Sequence, residues 1–249
     1  MIPAHSPASV VVMETAGLVA HEAAARIAET VRRAIGERGA ATLALSGGST
    51  PRDTYTLLAA TNVDWSKVDV FWVDERAVPP THDRSNFFMA YSALIGNARF
   101  DARRVWPMHA DRADLSGAAT DYERQIVSRV APDDSGVPAI DAVVLGIGTD
   151  GHTASLFPGE PTVNLADSLV ATVTAHGMRE ARLTFTSRLI EHALHVFVLV
   201  VGGEKREAVK RALASEGTVL ETPARVIREC RGSVTWIVDR EAAPPGQGI

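Results

Sequence analysis

The run Asp141-Ala142-Val143-Val144-Leu145-Gly146-Ile147-Gly148 decides the fold class. It is continuously apolar rather than alternating, as expected of a strand in a parallel sheet whose two faces are both covered by helices. Further short β-branched or aromatic runs repeat the pattern at Val10 to Met13, Thr42 to Leu45, Val68 to Val73, Val196 to Val201 and Val234 to Val238. Between the first two of these, Val19, Ala23, Ile27 and Val31 recur every four residues. Ala34 and Ile35 continue that face until Gly36 and Gly39 interrupt it, which predicts an amphipathic helix. Helices are also expected at Pro51 to Ala60, Asn86 to Ile95, Ala113 to Val130 and Glu204 to Leu213. Strands alternating with helices predict an α/β fold: a Rossmann-like, mostly parallel sheet flanked by helices in an α/β/α sandwich.

The chain has 249 residues, of which 46% are hydrophobic and 22% charged, enough to build a sizeable core and too much apolar content for global disorder. No internal repeat or long linker is visible, and Pro132 to Pro138 reads as a loop. The expectation is a single domain over 1–249 with loose termini at about 1–8 and 241–249. Twenty-five basic against thirty acidic residues give a net charge of -5 without a Lys/Arg-rich run, so nucleic acid is not an expected partner. Cys230 is the only cysteine, which removes intrachain disulfides and multi-cysteine metal patterns. The apolar run at Val196 to Val201 is far shorter than the ~18 residues of a membrane span. The start of the chain lacks a basic, apolar and small-residue leader pattern. A cytoplasmic protein without membrane contact is expected.

Ligands of open α/β sheets collect beyond the carboxyl ends of the strands. After Leu45 comes Ser46-Gly47-Gly48-Ser49-Thr50-Pro51-Arg52-Asp53. Thr50 is placed as a helix N-cap, with Pro51 at the first helical position and Asp53 completing a capping box. Glycines, hydroxyls and free N–H groups at a helix start suit a phosphate, though a glycine-permitted turn has the same spelling. After Val73 come Asp74-Glu75-Arg76 and then Ser85-Asn86, read either as ligand-facing charges or as a solvated turn with ion pairs. The Ala142 run opens into Thr149-Asp150-Gly151-His152-Thr153-Ala154-Ser155-Leu156-Phe157-Pro158. There His152 is either a proton acceptor exposed between glycines or a plain surface histidine. Gly202-Gly203-Glu204-Lys205 follows the Val196 run, and Lys205 and Arg182 are candidate cations for an anionic ligand as well as ordinary surface residues. His192 and His195 are three apart without a partner pattern, and no metal is expected.

Together these motifs, in this order, closely resemble the 6-phosphogluconolactonases, over nearly the whole chain from the first strand to Val234-Thr235-Trp236-Ile237-Val238-Asp239. The string Asp150-Gly151-His152-Thr153-Ala154-Ser155-Leu156-Phe157-Pro158 is the most specific part. The glucosamine-6-phosphate deaminases of the same superfamily share the loop, the acidic pair and the Gly-x-Asp-Gly-His segment. In them a glutamate follows the histidine segment and a tyrosine follows the acidic pair. This chain has Leu156-Phe157-Pro158-Gly159 before Glu160, and Arg76 after the pair, departures that favour the lactonases.

The resemblance implies hydrolysis of 6-phospho-D-glucono-1,5-lactone in the oxidative pentose phosphate pathway, without cofactor or metal. It implies His152 as the base for water, Asp150 as its orienting partner, and Arg76 with nearby N–H groups at the developing negative charge. Asp74 and Asn86 would line the sugar. The phosphate would sit on Gly47, Gly48, Ser49 and Thr50 with Lys205 and Arg182, while Ser46 and Gly148 complete the substrate contacts. The expected partner is a small sugar-phosphate lactone, and the expected state is a monomer. A non-catalytic sugar-phosphate sensor is the rival of another class, but the chain adds no helix-turn-helix segment and no basic face.

Overall fold

The computed structural model describes residues 8–246. In chain order it contains β1 (Ser9–Met13), α1 (Ala16–Arg38), β2 (Ala41–Leu45), α2 (Ser49–Ala59), β3 (Val68–Trp72), β4 (Asp74–Arg76), α3 (Asn86–Ala93) and α4 (Leu115–Arg129). There follow β5 (Ala142–Leu145), β6 (Val170–Val173), β7 (Arg182–Phe185), α5 (Ser187–Glu191), β8 (His195–Val200), α6 (Arg206–Leu213) and β9 (Ser233–Asp239).

The six apolar runs all become strands of one six-stranded sheet, ordered β1-β9-β8-β5-β2-β3 and parallel throughout. Every residue of β2, β3 and β5 is buried, which is why those segments are spelled without polar alternation. Thr15 caps α1 by accepting from the Leu18 N–H, and Gly39 ends it in the left-handed conformation (φ 79°) that glycine adopts without strain. The stripe Val19, Ala23, Ile27 and Val31 is wholly buried, and α1 packs on α2 and on β2, β8 and β9. Each such side chain contributes roughly 1.5–3 kcal/mol by leaving water where it is as large as Val or Ile.

A second, antiparallel sheet of three strands, β4-β7-β6, was not anticipated from the sequence. Its strands are three and four residues long, and β4 is spelled Asp-Glu-Arg, so neither length nor apolar periodicity marks them. Tertiary hydrogen bonding creates it. Val73 donates its N–H to Leu45 O in the large sheet and accepts the Phe185 N–H into its carbonyl, so the chain passes between sheets at that residue.

Three further expectations need correction. The second helix begins at Ser49 with Gly48 as its N-cap (φ 112°), not at a Thr50 cap. No side chain caps it, and Asp53 pairs with Arg52 instead of closing a capping box. Glycine at the cap leaves the first-turn N–H groups without a protein side-chain acceptor. The helix expected from Glu204 starts at Arg206, Gly203–Lys205 being a 3-10 turn. The tail after Arg240 is anchored at Ala242, which is fully buried and donates its N–H to Asp239. Residues 1–7 and 247–249 of the expected loose termini lie outside the described residues.

Candidate active site

Four strand ends of the large sheet converge: Ser46-Gly47-Gly48 after β2, Val73 leading into β4 after β3, Gly146 to His152 after β5, and Gly202 to Lys205 after β8. They border a cavity of about 200 Å³. Of the expected site residues, Ser46, Gly47, Gly48, Asp74, Arg76, Asn86, Gly148, His152, Arg182 and Lys205 line it, together with Gly146, Ile147 and Ala154. Ser49 and Thr50 lie beyond it in the first turn of α2, and Asp150 is not in the wall.

Asp150 is instead placed behind His152. Its Oδ1 is 2.6 Å from His152 Nδ1 and also accepts the His152 backbone N–H at 3.0 Å. Burial works to raise the Asp150 carboxyl, but the hydrogen bonds from the His152 ring and backbone outweigh it and hold it at about 2. An ionised carboxylate only accepts, so Nδ1 carries a hydrogen, and the tautomer this contact selects for the uncharged ring has its lone pair on Nε2. The ring is held on two further sides. Phe157 packs against it with centroids 4.7 Å apart, and a Cβ on Gly148 would stand 2.1 Å from Nδ1 and 2.2 Å from Cε1. Gly148 is thus glycine because the imidazole occupies the place of its side chain.

The small sheet delivers the cations. In the β4/β7 register Arg76 faces Arg182 directly, a like-charge juxtaposition that costs stability unless an anion lies between. Both side chains line the cavity. Arg182 is 14% exposed at its side chain, and burial pushes its guanidinium down against the opposing pull of Asp74, with the neighbouring Arg76 adding to the lowering. Asp74 is buried and accepts from Asn86 Nδ2 at 3.0 Å and from Ser155 Oγ at 2.6 Å. Gly47 permits this arrangement, since a Cβ there would come within 1.9 Å of Asn86 Oδ1.

Glu75 does not reach the cavity. Its carboxylate accepts the N–H groups of Arg76, Asn86 and Phe87 and the Ser85 hydroxyl, so it secures the N-terminus of α3, although burial pushes its carboxyl up.

The glycine turn after β2 is anchored by Tyr55 of α2, whose hydroxyl accepts the Ser46 N–H at 2.9 Å and donates to Ser46 O at 3.0 Å. Ser46 Oγ is buried without a hydrogen-bond partner among the described residues, and Ser46 belongs to the cavity wall. Beyond it, the first-turn N–H groups of α2 have no intrahelical acceptor, and the helix presents them with its positive end. Lys205 also lines the cavity, on a turn begun by Gly202 at φ 102°. The arrangement therefore combines a lone-pair nitrogen, cations and unpaired donors within one small cavity.

The family model described as glucosamine-6-phosphate isomerases/6-phosphogluconolactonase matches residues 14–236. The chain belongs to this family. A 6-phosphogluconolactonase of Synechocystis sp. is 38% identical over 212 residues, which cover 85% of this chain and 87% of that protein. One of Rhizobium meliloti is 37% identical over 87% of this chain and 91% of its own. Among solved structures, the 6-phosphogluconolactonase of Trypanosoma brucei superposes with a TM-score of 0.85 at 27% identity, covering 95% of this chain and 97% of that one. A monomeric glucosamine-6-phosphate deaminase superposes with a TM-score of 0.80 at 23% identity, a likeness of fold alone.

Within this glucosamine-6-phosphate isomerase/6-phosphogluconolactonase fold, several site residues escaped the sequence reading. Ser155 is fully buried, donating to Asp74 and accepting from Arg182. Ala154 is the one non-glycine residue at positive φ (48°) among the described residues, a backbone setting that places it in the cavity wall. Arg179 lies over the Phe157 ring at 3.8 Å and pairs with Glu160, bracing the ring that backs His152. The quoted motif contained Ser155 and Phe157, but nothing in their spacing reveals partners on β4 and β7. His192 and His195 stand elsewhere, His192 on Asp133 and His195 between Arg33 and Ser233.

Proposed function

We propose that this chain hydrolyses 6-phospho-D-glucono-1,5-lactone to 6-phospho-D-gluconate, a step of the oxidative pentose phosphate pathway. The observation that carries the reading is the Asp150–His152 pair, whose imidazole stands in the wall of a cavity that also holds Arg76, Arg182 and Lys205. His152 Nε2 takes a proton as water adds to the lactone C1. The resulting oxyanion is met by Arg76 and nearby backbone N–H groups. Collapse breaks the C1–O5 bond, the proton passes from His152 to O5, and the carboxylic acid formed ionises to release one proton overall. The phosphate is held by the Gly47-Gly48 turn with the start of α2, Arg182 and Lys205, and Asp74 with Asn86 borders the sugar.

Glu160 supports hydrolysis over deamination. It is engaged with Arg179 and is absent from the cavity wall, so no carboxylate of that segment is positioned to open a sugar ring. We place the protein in the cytoplasm, in keeping with a single cysteine that forms no intrachain disulfide, and take it to be a monomer.

The test offers freshly generated lactone and glucosamine 6-phosphate side by side, following acid release and ammonia release, with the His152→Ala variant in parallel. Acid release alone is expected, and the variant should lose about 10²-fold in kcat while keeping its affinity for 6-phosphogluconate. Ammonia release, or full turnover by the variant after correction for spontaneous hydrolysis, would overturn the reading.

A further inference from the structure

We propose that Arg84 is a positioning residue that keeps Arg76 and Arg182 available to the ligand, by holding the Glu180 carboxylate away from both guanidinium groups. The identity of the ligand rests on the lactonase reading, while the competition for Glu180 rests on geometry.

Glu180 stands two residues before Arg182. The Ala77 N–H donates to Ala181 O at 2.8 Å, which carries the β4/β7 ladder one pair past the Arg76–Arg182 register. By the side-chain alternation of an extended chain, Glu180 shares a face with Arg182 and lies diagonal to Arg76, a separation that long side chains span. Its own backbone N–H first, and then the charges of Arg84, Arg182 and Arg76, hold the Glu180 carboxyl below the usual range against the opposing effect of burial. Yet its only ion pair among the described residues is with Arg84 Nη1. Arg76 and Arg182 line the cavity, and Glu180 does not. Arg179, the next cation along the chain, is engaged by Glu160 and lies over Phe157.

Arg84 reaches Glu180 from the loop that joins β4 to α3, and that loop is fixed. The Arg84 N–H donates to His82 Nδ1 at 3.0 Å, the Ser85 N–H to His82 O at 2.8 Å, and the Ser85 hydroxyl to Glu75 at 2.9 Å. Arg76 Nη1 in turn donates to Arg84 O at 2.5 Å. One residue thus serves both arginines: its carbonyl holds the Arg76 guanidinium, and its side chain draws off the carboxylate that could neutralise either. The side chains of Arg84 and Glu180 are 59% and 21% exposed, a setting in which an ion pair adds little to stability. What the pair prevents matters more. Arg76 Nε and Arg182 Nε are both buried without a hydrogen-bond partner among the described residues, and a carboxylate laid on them would consume donors now open to an anionic ligand.

Arg84→Ala removes a largely exposed side chain and keeps the carbonyl that holds Arg76, so the variant should fold. Calorimetric titration with 6-phosphogluconate, whose carboxylate and phosphate offer anionic oxygens to both arginines, compares wild type, Arg84→Ala, Glu180→Gln and the double variant. Arg84→Ala should weaken binding about tenfold or more. Glu180→Gln should bind within about twofold of wild type or tighter, and adding it to Arg84→Ala should restore affinity to that level. A mere latch between loop and hairpin predicts otherwise, since either substitution would break it and the double variant would regain nothing. In a crystal structure of Arg84→Ala, a Glu180 oxygen should stand within about 3 Å of a guanidinium nitrogen of Arg76 or Arg182. Wild-type affinity in Arg84→Ala, a Glu180→Gln loss equal to that of Arg84→Ala, an unrestored double variant, or a carboxylate still clear of both arginines would each overturn the proposal. Failure of wild type to bind 6-phosphogluconate would instead overturn the lactonase reading, and the crystal distance would still decide the role of Arg84.

Discussion

Replacing Gly148 by alanine adds a single methyl group to the space now filled by the His152 imidazole, the base of the proposed reaction. A Cβ at that position would lie 2.1 Å from His152 Nδ1, 2.2 Å from Cε1 and 2.5 Å from Asp150 Oδ1, where ordinary contact begins at 3.4 Å. The imidazole must therefore withdraw by about 1 Å, a misplacement that can cost on the order of 10²-fold in rate. In free energy this is about 2.7 kcal/mol of transition-state stabilisation. Gly148 is not among the glycines at positive φ, so alanine meets no backbone strain there and the variant should fold. The assay is continuous acid release from fresh lactone, corrected for spontaneous opening, with affinity for 6-phosphogluconate measured separately. The expected result is a fall in kcat with affinity retained, because the Gly47-Gly48 turn, Arg182 and Lys205 are untouched. A kcat within threefold of wild type, at roughly the rate precision needed to exclude a 1 Å displacement, would refute the claim that the ring's position is what Gly148 protects.

Removing the Tyr55 hydroxyl strips both backbone partners from Ser46 in a fully buried setting. Tyr55→Phe should lower unfolding free energy by about 1–3 kcal/mol in urea titrations, and a change below a few tenths would show that Ser46 finds other partners. Glu191 supplies a pH signature. Burial first, and the nearby Glu229 second, raise its carboxyl from 4.5 to about 7 in the folded protein. The folded state therefore binds more protons than the unfolded one between those values. This contribution is full below pH 4.5 and is lost as pH rises through about 7. Glu191→Gln should accordingly gain stability relative to wild type between pH 5 and pH 8, as read by denaturation midpoints, and a constant offset across that range would remove Glu191 as the source.

The large sheet was legible because burial on both faces imposes a continuous apolar spelling, and six such runs became six parallel strands. The glycine turns were legible because a backbone that must approach a ligand or a side chain closely excludes Cβ, as Gly47 and Gly148 do here. The small sheet was hidden. Asp74-Glu75-Arg76 carries no strand signal, and its pairing with Arg182 to Thr184 depends on chain segments more than a hundred residues away. With that pairing unseen, the direct opposition of Arg76 and Arg182 and the bridging place of Ser155 could not be read. The Thr50 cap failed for a local reason: capping propensity favours threonine, but Gly48 at φ 112° turns the chain into the helix two residues earlier.

The crossing of the chain from one sheet to the other at Val73 divides the labour of the cavity. The imidazole is carried on a turn of the parallel sheet, whereas the facing arginines ride on the short antiparallel ladder, and the two are riveted through Val73 and the Ser155–Thr184 contact. Substitutions that tilt or respell the ladder therefore move the two arginines together while leaving the Asp150–His152 pair on its own turn.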